Sequence, residues 1–127
     1  MSFTLIDLGS ENFEFQTNVW HWKTALEIIK SFDVIGDGKV RQMAYNATGL
    51  KIGHDEAKMI GERIRDEILP LLAPDKRIFA DLTVTDKPDD GTFYRDVDEQ
   101  WKNYSATYDW LREFSEFCLR SKGFQIF

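Results

Sequence analysis

The feature that most constrains this chain is an aromatic stripe near its C-terminus. Val97, Trp101, Tyr104, Tyr108, Leu111, Phe114 and Cys118 recur at spacings of four and three, which predicts one face of a long α-helix. Trp110 and Phe117 widen that face. Asp96, Asp98 and Glu99 crowd its expected N-terminus, and Arg112, Arg120 and Lys122 its C-terminal part, as the helix dipole prefers. Gly123 fits a left-handed cap, and residues 124–127 then read as a terminal strand. A face this wide needs a broad apolar partner. With ten Phe, four Trp and four Tyr in 127 residues, one domain spanning 1–127 can supply it.

The partner elements follow from local pattern. Asn18 can cap a helix whose apolar face is Trp22, Ala25, Leu26, Ile29 and Phe32, and Gly36-Asp37-Gly38 ends that region. Val40, Met43 and Ala44 share a face in a short helix over 39–45. Gly53 with Glu56 three residues on resembles half of a capping box, and it opens a helix with the stripe Ala57, Ile60, Gly61, Ile64 and Ile68. A glycine on that stripe costs helix propensity, so Gly61 should mark a close backbone approach. Pro70 should end or kink the helix at Leu69. Residues 3–8 form a short apolar run. Strand signals lie at 13–16, 50–52, 124–127, and 78–85, where Ile78, Ala80, Leu82 and Val84 alternate. The expected fold is α+β, with two or three main helices packed on one face of a small, largely antiparallel sheet.

Charge is concentrated. The chain carries a net −6, and seven acids against two bases between Asp81 and Glu99 account for −5 of it. Such a balance lacks the basic footprint that nucleic acid requires and favours a basic protein as partner. Within the stretch, Asp86, Asp89, Asp90, Tyr94 and Asp96 are the candidate partner-binding residues. Lys87-Pro88-Asp89-Asp90-Gly91 also has turn chemistry.

Catalytic and metal templates fit poorly. A calcium loop begun at Asp86 has Pro88 at position 3 and Val97 at position 12, where oxygen ligands belong. His21, His54 and Cys118 have no zinc spacing. Gly36-Asp37-Gly38-Lys39 lacks both phosphate-loop patterns. No metal and no cofactor is therefore expected. Cys118, alone and on an apolar stripe, reads as a buried thiol suited to a reducing compartment. No run of residues is apolar enough to span a membrane, and residues 1–7 lack a signal peptide's basic and apolar regions, so a cytoplasmic location is expected.

Asn18-Val19-Trp20-His21-Trp22, Ala44-Tyr45-Asn46, Gly49, the span from Val84-Thr85-Asp86 to Tyr94-Arg95, and the ending from Phe117-Cys118-Leu119-Arg120 to Gly123-Phe124 follow one another in this order. That order resembles small uncharacterised bacterial proteins of about this length. The resemblance implies a bacterial origin and a shared α+β fold, and it carries no activity or site residue with it. Three functional expectations follow from the residues. The first is a non-enzymatic interaction protein, immunity- or inhibitor-like, binding a basic partner through the acidic stretch. The second is a small enzyme or ligand-binding domain with an aromatic and carboxylate pocket around Trp20, His21 and Trp22. A homo-oligomer with an aromatic interface is a third. The absence of a catalytic signature weighs against an enzyme.

Overall fold

The N-terminal apolar run becomes β1 (Ser2–Asp7), which pairs on one side with β2 (Glu14–Asn18) and on the other with β7 (Phe124–Ile126). β7 in turn pairs with β3 (Lys51–Ile52), so the four-stranded sheet has the order β2-β1-β7-β3 and is antiparallel throughout. The register sets Phe3 opposite Thr17, Leu5 between Phe15 and Ile126, and Ile52 opposite Phe124. Strand side chains alternate between faces, so these residues share one face, and all but half-buried Phe15 are buried. The computed structural model describes residues 2–10, 12–45, 49–72, 74, 76–85 and 104–127.

Helices cover that face. In α1 (Val19–Phe32), Trp22 lies 5.9 Å from Phe3 between ring centroids. In α4 (Tyr108–Arg120), Trp110, Phe114 and Phe117 surround Phe15 at 5.6–5.7 Å. Both helices are capped by side chains: Asn18 Oδ1 accepts from His21 N at 3.0 Å, and Thr107 Oγ1 from Trp110 N at 3.2 Å. The short α2 (Asp37–Met43) follows α1, after Asp33 turns the chain with φ 56°. α3 (His54–Arg63) begins where Glu56 Oε1 accepts from Gly53 N, then widens into a π-helical turn (Ile64–Ile68) and closes in a 3₁₀ turn (Leu69–Leu71) holding Pro70. Gly61 is where α3 meets α4. A Cβ there would lie 2.8 Å from Leu119 Cγ, 3.0 Å from Ser115 O and 3.1 Å from Cys118 Cβ. Gly123, at φ 92°, admits equally close passage beside β3: its Cβ would lie 2.5 Å from Ile52 O.

Two local expectations are revised. Residues 78–85 are not one strand but a hairpin, β4 (Arg77–Phe79) and β5 (Val84–Thr85). Asp81 Oδ1 accepts from Thr83 N and Oγ1 at 3.0 and 2.6 Å, and Leu82 takes a left-handed φ of 70°. The aspartate's turn chemistry thus overrides the apolar alternation around it. The hairpin also belongs to a second sheet, order β5-β4-β6 with β6 at Ser105–Thr107, rather than to the first. The C-terminal helix starts at Tyr108, not Val97. Ser105–Thr107 form β6, with Arg77 opposite Thr107 and Ile78 opposite Ala106. Tyr104 and Tyr108 share a four-residue spacing across a strand, which mimics a helical repeat; Val97 and Trp101 lie outside the described residues. Among the described residues no helix is long and apolar enough to cross a membrane.

Candidate functional site

A cleft of about 480 Å³ opens between α1 and α2. Its floor is apolar and closed: Phe3 from β1, Trp22 and Leu26 from α1, and Val40 from α2 are all buried. One buried hydrogen bond ties its two walls together, from Trp22 Nε1 to Met43 O at 2.8 Å. Met43 ends α2, and a carbonyl in a helix's last turn has no partner within the helix. The indole N–H supplies that partner, so Trp22 staples the end of α2 to α1.

The rim is charged. Lys23, Glu27 and Lys30 stand on α1 at positions i, i+4 and i+7, while Asp37 and Arg41 stand on α2 at i and i+4. Lys23 Nζ sits 5.3 Å from the centroid of the Tyr104 ring, which closes one end of the cleft. None of the five charges forms an ion pair with another described residue. Three cations against two carboxylates make the rim net positive on a chain of net −6.

The residues singled out from sequence fall in different places. Asp86, Asp89, Asp90, Tyr94 and Asp96 lie outside the described residues. Trp20, His21 and Trp22 are consecutive on α1, and successive helical residues point about 100° apart. Only Trp22 lines the cleft. Trp20, 36% exposed, stacks on Tyr104 at 5.2 Å, and half-buried His21 lies against Trp110 at 5.5 Å. Sequence reasoning passed over Lys23, Glu27, Lys30 and Arg41, and read Asp37 only as part of a chain break and a failed phosphate-loop pattern. Their i, i+4 spacing was the available signal, and it is also the spacing of an ordinary solvated helix face.

Elsewhere, no three His, Cys, Asp or Glu side chains converge among the described residues. Cys118 is fully buried on α4, and burial pushes its thiol well above the usual range, which keeps it protonated and unreactive. Comparison with protein-family models, curated proteins and solved structures finds no match.

Proposed function

We propose that this protein is a non-enzymatic binding module of the bacterial cytoplasm, immunity- or inhibitor-like, whose acidic stretch from Asp81 to Glu99 engages a basic protein. The observation that carries this reading is the placement of charge: 19 residues hold −5 of the net −6. The fold around the stretch supports it. It begins at Asp81 in the β4–β5 turn and takes in β5, and beyond it the chain re-enters through Tyr104 into β6, so β5 and β6 flank the same central strand, β4. Beside that return, half-buried Tyr104 stacks on exposed Trp20. Acidic side chains raise the encounter rate with a basic surface, and aromatic side chains anchor the contact once it forms.

The test is capture from the source organism with tagged wild-type protein and with the Asp86→Asn/Asp89→Asn/Asp90→Asn variant. A basic protein should be retained at low salt by wild type, released at high salt, and lost from the variant. Equal retention by wild type and variant overturns the assignment to these aspartates. Absence of any salt-released basic protein overturns the reading as a whole.

A further inference from the structure

We propose that the cleft between α1 and α2 is a binding site for a small organic anion with a flat apolar body. Its volume, about 480 Å³, lies in the range of small-molecule sites, roughly 300–1,000 Å³. It is also built in advance. The Trp22–Met43 bond ties the two walls together, and the floor is core, so a ligand need not order the site on entering.

The chemistry of the occupant follows from the lining. Lys23, Lys30 and Arg41 outnumber Glu27 and Asp37 on a chain where acids outnumber bases 22 to 16. A metal cation or a polyamine would meet the majority of like charge. An anionic head finds cations on both walls, none with an ion-pair partner among the described residues, including a guanidinium whose planar fork suits a carboxylate, sulfonate or phosphate. The body of the ligand meets Val19, Ala44 and the apolar floor. The described residues that line this cleft all lie outside the acidic stretch, and its failure would leave the protein-binding reading untouched.

The probe is 8-anilinonaphthalene-1-sulfonate, which joins an anionic head to an aromatic body, titrated by fluorescence into the intact chain. N-phenyl-1-naphthylamine, the same body without the sulfonate, is the control. Wild type should bind the sulfonate saturably at one site. Lys30→Gln/Arg41→Gln should weaken binding about tenfold or more, the weight of one charge-assisted hydrogen bond. Both side chains are exposed, so the thermal midpoint of this variant should stay at the wild-type value. Ala44→Trp, which fills the cleft from an exposed position, should abolish binding. Three results each overturn the proposal: no saturable binding, equal affinity for the neutral analogue, or affinity unchanged in the two variants.

Discussion

Replacing Gly61 with alanine sets two effects of opposite sign against each other. In an exposed helix the change stabilises by about 1 kcal/mol, because glycine loses more backbone entropy on folding. At the α3–α4 contact the new methyl has nowhere to go. Leu119, half-buried, can rotate away from its 2.8 Å approach, but Ser115 O at 3.0 Å is backbone and Cys118 Cβ at 3.1 Å is fixed to α4. The helices must therefore part by a few tenths of an ångström, which stretches the buried bond from Ser115 Oγ to Gly61 O, now 2.7 Å. Overpacking of this kind costs about 1–3 kcal/mol, and weakening the hydrogen bond adds up to about 1 kcal/mol. The expected net loss is about 1.5 kcal/mol within a span of about 0–3 kcal/mol, and the central value is a fall in Tm of roughly 4–8 °C for a domain of this size. Gly38→Ala is the matched control, since nothing lies within 4 Å of its Cβ position in α2; there the entropy gain acts alone, raising stability by about 0.5 kcal/mol. Urea and thermal unfolding followed by circular dichroism measure both. Gly61→Ala at or above wild-type stability would refute the close-approach argument.

Trp22→Phe removes the indole N–H that Met43 O accepts and leaves a void among fully buried neighbours; it should cost about 2–4 kcal/mol in urea unfolding, and a loss below about 0.5 kcal/mol would show that α2 is not stapled through this bond. Cys118 supplies a pH test. Its native thiol is held protonated by burial, whereas an ordinary thiol ionises near 9.0. The native state therefore keeps a proton that the unfolded chain releases, so this group's contribution is whole below pH 9 and is lost as pH rises beyond it. Wild-type stability should fall above pH 9 more steeply than that of Cys118→Ala, by up to about 1.4 kcal/mol per pH unit; parallel profiles would mean the thiol ionises in the native fold.

What the sequence disclosed about the fold divides by range. Asn18 as a cap and Glu56 reaching Gly53 are decided within a few residues, and each is present. Gly123 takes a positive φ, but α4 ends at an extended Ser121, and Pro70 sits inside a 3₁₀ turn after the α-helix has ended at Arg63. Gly61 was legible because a glycine on an apolar stripe opposes its own helix, and such a conflict needs a tertiary cause. Strand pairing was not legible. β3 and β5 span two residues each, too few for a period to register, and β1 is central because β2 and β7 reach it from opposite ends of the chain. Periodicity also misled where it was most regular: the alternation at 78–85 runs through a turn set by Asp81, and the stripe from Val97 runs through a strand at Ser105–Thr107.

The cleft was hidden for a related reason. Trp22 and Leu26 of its floor were read as part of an apolar helix face, but a face becomes a floor only when a second helix stands at the right distance from it. The two helices are tied by a hydrogen bond between Trp22 and a backbone carbonyl 21 residues away, and a carbonyl is present at every position, so no residue type signals it. The rim charges are no easier to read. Lys23, Glu27 and Lys30 would look the same on a helix facing only water; what distinguishes them is Asp37 and Arg41 on the opposite wall. Charge along the sequence thus points to the acidic stretch, whereas charge across the fold points to the cleft. The two have opposite net sign, so the two proposed sites call for separate ligands of opposite charge rather than one ligand sharing both surfaces.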